Sequence, residues 1–218
     1  MLRRAFVAGL ALLAVAAAPA PQGRAVPGQV RVRLVTSAGA IIVALDAKRA
    51  PKTVANFLAY VDDGRFEGTT IYRTARRKAD PTKGFIQGGV GTDARRMLDP
   101  LPLEPTSQTG LRHLNGTISM AHGPNPNSAN ANFSIMVGDN PGLDARGANL
   151  GFAAFGQVVG GMDVVQRILA MPSGGGRDVM KGQMILKPVT IVRAERLDGV
   201  AKPTGRVKPW LLGLKPAT

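Results

Sequence analysis

From Val30 to Leu197 the chain is cut into short apolar runs by glycine, proline and other turn residues. The run VRVRLVT (30–36) alternates, with Val30, Val32 and Leu34 on one face, as a half-buried strand does. Ser37-Ala38-Gly39 can turn the chain and IIVALD continues it, so the two runs read as a hairpin. TTIYR, GFIQGGV, GTISMAH, NFSIMV and FAAFGQVV follow, and MILKPVTIVRAERL closes the series. On that last run Val189, Ile191 and Arg193 fall on one face. Pro188 sits near its start, where a missing donor is tolerable. Seven or eight short strands with Gly-rich turns call for a barrel or a sandwich, and closing the sheet removes its exposed edges.

Two segments break the period of two. In RAPKTVANFLAYVDDG, Val54, Phe57, Leu58 and Val61 recur at helical spacing, Pro51 suits the first turn, and Gly64 ends the run. A second helix is expected from Met162 to Met171, with Met162, Val165, Ile168 and Leu169 inward and Pro172 beyond its end.

The 218 residues fit one domain with extensions, and 44% hydrophobic content is enough for a core. MLRRAFVAGLALLAVAAAPA joins two arginines to a short apolar run and small residues, the pattern of a cleavable export signal. Residues 1–25 are therefore expected to be a signal peptide, cut after Ala17 or Ala25. The mature protein would be exported, periplasmic in a Gram-negative source, with no stable membrane insertion. Residues 26–198 form the domain. Residues 199–218 form a basic Pro/Gly-rich extension, expected to be poorly ordered, although Trp210-Leu211-Leu212 can dock. The net charge of +14 favours anionic partners, but aromatics at 5% are too few for a nucleic-acid stacking platform.

Little in the chain can do acid–base or covalent chemistry. There is no cysteine, and the two histidines, His113 and His122, read as structural or exposed. No Gly-x-Ser-x-Gly elbow, HExxH or P-loop occurs. Asp62-Asp63 and Asp139-Asn140 are candidate cation holders without EF-hand spacing, and no cofactor is implied. GTISMAHGPNPNSANANFSIMV instead joins two apolar strands by a loop with four asparagines and nothing that titrates but His122.

One succession of motifs is specific. Ile71-Tyr72-Arg73, GFIQGG, PLEPTSQTGLRHLNGTISMAH, SANANFSIMV and GFAAFGQVVGGMDVV follow in an order that resembles the cyclophilin family of peptidyl-prolyl isomerases, from about Val30 to Leu197. The resemblance implies a mainly β fold, a closed eight-stranded antiparallel barrel capped by two α-helices. It implies catalysis of rotation about X–Pro bonds in unfolded or flexible polypeptides, by a monomer that assists folding.

That reaction needs few titrating groups. An X–Pro bond prefers trans by about 0.5–1 kcal/mol, yet its barrier is about 18–20 kcal/mol. Lowering the barrier breaks no covalent bond. It needs an apolar seat for the proline and a fixed donor near the prolyl nitrogen, which gains a lone pair as the amide twists. By the resemblance Arg73 is the catalytic arginine and Gln87 positions it. Phe85 and Leu143 stand at apolar pocket positions, and Ala121 and His122 on the strand lining the groove. The pattern departs at Tyr72, where the family has histidine, at Asn132 (glutamine), at Ser134 (the phenylalanine under the proline), at Phe152 (histidine) and at Gly142 (tryptophan in some members). These departures leave a second reading open, a proline-peptide-binding module or chaperone with little turnover. Arg76, Arg77, Lys78 and Lys83, in the lengthened loop before Gly84, are expected to favour acidic residues beside the proline.

Overall fold

A computed structural model describes residues 26–212. The expected signal peptide lies outside the described residues. In chain order the elements are β1 (Gln29–Thr36), β2 (Gly39–Asp46), α1 (Pro51–Asp62), β3 (Thr70–Arg76), β4 (Gly84–Gly89), α2 (Thr106–Thr109), β5 (Thr117–Met120), β6 (Phe133–Val137), β7 (Ala153–Gly160), α3 (Met162–Leu169), β8 (Ser173–Gly174) and β9 (Met184–Arg196). The sheet runs β1-β2-β7-β5-β6-β4-β3-β9, antiparallel throughout, and β9 pairs back onto β1. This closes the expected eight-stranded barrel, with the two-residue β8 an appendage on β9.

The alternation read from the sequence selects the inner face. Val32, Leu34, Val43, Ile71, Ile86, Ile118, Phe133, Ile135 and Val189 are all buried in one cluster. Helix α1 plugs one end. Its Phe57 ring lies 5.1 Å from Phe66, 5.5 Å from Phe133 and 5.3 Å from Phe155. Ala50, at the N-cap of α1, offers no side-chain acceptor. Glu104 takes that role from a distant loop, accepting from the amides of Lys52 (3.1 Å) and Thr53 (2.8 Å). Helix α3 plugs the other end with Val164, Val165, Ile168 and Leu169. Met162, expected inward, is only partly buried at the first turn, and Val164 stands in its place.

One β9 reading changes. Arg193 does not share the inner face with Ile191; it is exposed and Ala194 is buried instead. A bulge causes this, because Thr36 pairs with Ile191 and Val35 with Arg193, so the alternation loses a step at Val192. Pro188 lies near the start of the strand, as expected, four residues after Met184. It has no N–H to donate, and the ladder to β3 breaks there: Ile71 pairs with Val189, but Arg73 pairs with Met184. The slack brings the chain around Gln183 and Met184 beside Arg73.

From 199 to 212 the tail also makes more contacts than its composition suggests. Lys202 donates its amide to Asp62 (2.9 Å), Thr204 donates amide and hydroxyl to Asp63 (2.8 and 2.6 Å), and Arg206 pairs with Asp99 (2.5 Å). Trp210 is 9% exposed, with the guanidinium carbons of Arg65 and Arg96 at 4.8 and 5.0 Å from its ring centre. The basic tail thus finds acids at the end of α1 and an arginine pair for its one tryptophan. These contacts also occupy Asp62 and Asp63, the first of the candidate cation holders. Asp63 binds Arg65 at 2.7 Å, and Asp62 binds Arg196.

Replacing Trp210 by alanine should lower the free energy of unfolding by about 2 kcal/mol, from lost apolar burial and two cation–π contacts. Urea titration of the purified variant measures this. An unchanged midpoint would show that the tail contributes nothing to the fold.

Candidate functional site

The site lies on the outside of the barrel, where β3, β4, β6 and β5 run side by side. On β4, Ile86 points into the core while Phe85 and Gln87 point out. On β6, Phe133 points in and Ser134 out. Gln87 pairs with Ser134, and Ser134 with Ser119 of β5. Arg73 joins this row through a bulge: Ile71 pairs with Gly88 and Arg73 with Gln87, leaving Tyr72 as the extra residue of β3. Such a bulge re-aims a side chain, and here it brings Arg73 opposite Gln87.

Arg73 is half-buried, and every partner of its guanidinium given by the structure is neutral. Nη1 donates to Gln87 Oε1 at 2.7 Å, Nε to Gln183 Oε1 at 2.9 Å, and Nη2 to the Val179 carbonyl at 3.3 Å. The Phe85 ring lies 5.2 Å from the guanidinium carbon, so Phe85 packs on the face of the arginine. Burial pulls the Arg73 pKa below its ordinary value, but a guanidinium stays charged throughout the working range. Glu104, which could have paired with Arg73, is committed to α1.

Beside Arg73 a groove of about 460 Å³ is lined by Tyr72, Gln87, Gly91, Ala121, His122, Asn130, Asn132, Met180 and Met184, among others. Five of the ten residues singled out in the sequence, Tyr72, Gln87, Ala121, His122 and Asn132, meet there. Arg73 and Phe85 adjoin it through Gln87. Phe152 stacks on His122, with ring centres 4.3 Å apart. Ser134 is buried in the row beneath, next to Gln87. Leu143 is not part of this lining; its carbonyl accepts from the Phe152 amide at 3.0 Å, so it bears on the site through Phe152.

The asparagines serve mainly as scaffold. Asn132 grips the backbone of Gly91 from both sides, its Nδ2 donating to the carbonyl and its Oδ1 accepting from the amide, each at 2.9 Å. Gly89 permits that approach: its φ is +129°, and a Cβ there would lie 2.3 Å from the Ala131 carbonyl. Asn127 accepts from the Leu103 amide at 2.9 Å. Tyr72 donates to Asn132 Oδ1 at 3.4 Å, and burial pushes its phenol up to about 12. His122 is tied down in the same way, its ring nitrogens lying 2.7 and 2.9 Å from the carbonyls of Gly123 and Gly151.

Two of the four loop charges lie elsewhere. Arg76 donates to the carbonyl of Met171 and to Ser173, and Lys83 pairs with Asp80 at 3.2 Å. Both line a separate cavity against Gln166 and Leu169. Met180 and Gln183 are not legible as site residues, because the stretch between α3 and β9 has no period and lies more than a hundred positions from Arg73, and Met184 reads only as the start of the last strand.

His113 is fully buried and structural. Its Nδ1 is 2.7 Å from Asp144 and its Nε2 is 2.8 Å from Ser119. It ties the loop carrying Leu143 to the strand beneath the groove. Burial lowers its pKa below the ordinary value, against the pull of Asp144. The unfolded chain then binds more protons than the folded one, so stability rises with pH through this window. Acidification from about pH 6.5 toward pH 5 should lower the unfolding free energy, and His113→Asn should flatten that slope. Denaturant titrations at stepped pH decide it; equal slopes would remove His113 as the cause.

The family model described as "Cyclophilin type peptidyl-prolyl cis-trans isomerase/CLD" matches residues 31–196. The chain is 38% identical over 170 residues to peptidyl-prolyl cis-trans isomerase cyp18 of Streptomyces antibioticus, covering 76% of this chain and 98% of that protein. It is 40% identical over 139 residues to peptidyl-prolyl cis-trans isomerase A of Dickeya dadantii, covering 63% and 70%. In fold it is similar to a Cryptosporidium parvum cyclophilin type peptidyl-prolyl cis-trans isomerase crystallised in the presence of the dipeptide Ala-Pro. That match has a TM-score of 0.61 at 22% identity and covers 78% of this chain and 99% of the other.

Proposed function

The chain belongs to the cyclophilin-type peptidyl-prolyl cis-trans isomerases, and on that footing we propose that Arg73 and its groove turn X–Pro bonds in flexible polypeptides outside the cytoplasm. The observation that carries this reading is the neutral cradle of Arg73, above all the 2.7 Å bond from Nη1 to Gln87. An amide twisted out of plane loses resonance and gathers a lone pair on the prolyl nitrogen. A guanidinium fixed beside that nitrogen favours the twisted form over the planar one, which is what lowers the barrier. A carboxylate on Arg73 would offset that field, whereas Gln87 orients the group and leaves its charge intact.

The groove supplies the rest of what the reaction needs. Tyr72, Ala121, His122 and Asn132 offer polar edges for the peptide, and Phe85, Phe152, Met180 and Met184 offer apolar surface for the ring. With Ser134 in place of a ring, the methionines can adapt to the space. No atom is exchanged with the substrate, so the cycle returns every group to its starting state. Export rests on the leader-like residues 1–25. The closed sheet, with few open edges, supports a monomer.

Exchange NMR on a short X–Pro peptide tests this. Catalysed exchange should be evident with the wild type and fall by about 10²-fold or more in Arg73→Ala. Peptide shifts that move without faster exchange would make the protein a proline-binding module. Full activity in Arg73→Ala would remove Arg73 from the mechanism.

A further inference from the structure

We propose that Gln183 is a second positioning residue for the isomerisation, acting through Arg73; the inference rests on the assignment of Arg73 above. A guanidinium has five N–H groups in a rigid plane. Three are engaged within the chain, on Gln87, Gln183 and the Val179 carbonyl. One hydrogen on each Nη is left for a substrate. Gln87 alone fixes one corner of the plane and leaves it free to pivot. Gln183 fixes Nε, at 2.9 Å, and the two points with the Phe85 ring at one face set the orientation.

Gln183 is itself locked. Its Nε2 donates to the Val179 carbonyl at 3.0 Å, so its two amide ends have opposite partners and only one flip satisfies both. Its backbone amide donates to the Met180 carbonyl at 3.0 Å, and its carbonyl accepts from the Thr74 amide at 2.9 Å on the strand that carries Arg73. The loop is tied further by Ser173, which donates to the Gly182 carbonyl at 3.0 Å and accepts from Arg76 at 2.7 Å. The geometry also selects glutamine over glutamate. A carboxylate would accept from Nε, but it would set a negative charge against the catalytic cation and lose the donor to Val179.

The test is kcat/KM for an X–Pro peptide, by exchange NMR, for wild type, Arg73→Ala, Gln183→Ala and Gln183→Glu, each from about pH 3 to about pH 8. Gln183→Ala should lose on the order of tenfold in kcat with KM little changed. Gln183→Glu should be impaired at neutral pH and recover only at the acid end of the span, because the Arg73 guanidinium holds the new carboxyl below the ordinary glutamate range. A protonated carboxyl restores both the neutral acceptor and the donor. The wild-type profile should stay flat over the same span. A folded Gln183→Ala with wild-type kcat, or a Gln183→Glu profile parallel to the wild type, would overturn the proposal while leaving Arg73 in place. Should Gln183→Ala fail to fold, the Gln183→Glu profile alone decides. Full activity in Arg73→Ala would instead bring down the assignment of the groove, and this inference with it.

Discussion

The pairing of β1 with β9 is the contact on which the rest depends. It joins the first strand of the described domain to the last, and so converts an open sheet into a closed one. Once the sheet is closed, inward positions must be apolar and tightly filled, and α1 and α3 must plug the ends. The outward positions of β3, β4, β5 and β6 are then fixed relative to one another by their ladders. Arg73, Gln87, Ser134 and Ser119 fall in one row because of that register. A functional row built on strands is held more rigidly than one built on loops, which suits a reaction whose only demand is orientation.

The chemistry follows from what surrounds the cation. Arg73 is cradled by two amide oxygens, a backbone carbonyl and an aromatic face. Glu104 caps α1, and Asp62 and Asp63 anchor the tail and its neighbours. The protein thus orients a charge without quenching it. The polar groups lining the groove hold the backbone around it in place, as Asn132 does for Gly91. In the proposed mechanism a groove so poor in titrating groups therefore suffices.

Much of this was legible in the sequence. The alternation of VRVRLVT and the parity of GFIQGG and FSIMV already separate Gln87 and Ser134 from Ile86 and Phe133. The motif order pointed to Arg73 and Gln87. Other features were not legible, for physical reasons. A bulge changes parity without changing composition, so neither Tyr72 on β3 nor the slip at Val192 on β9 shows in a hydropathy pattern. Pro188 reads only as tolerable near a strand's start; that the ladder slips there and the freed chain meets Arg73 depends on a partner far away in sequence. The role of Gln183 comes from that tertiary meeting. The tail reads as loose until the acids at the end of α1 and the Arg65–Arg96 pair are seen to receive it.

In the proposed mechanism a fixed charge, and no transferred proton, lowers the barrier. The solvent deuterium isotope effect on kcat/KM for an X–Pro peptide tests it most directly. A ratio close to unity is predicted, because no proton is in flight as the amide twists. A normal effect of about two or more would mean that a group in the groove moves a proton in the rate-limiting step, and would contradict the account.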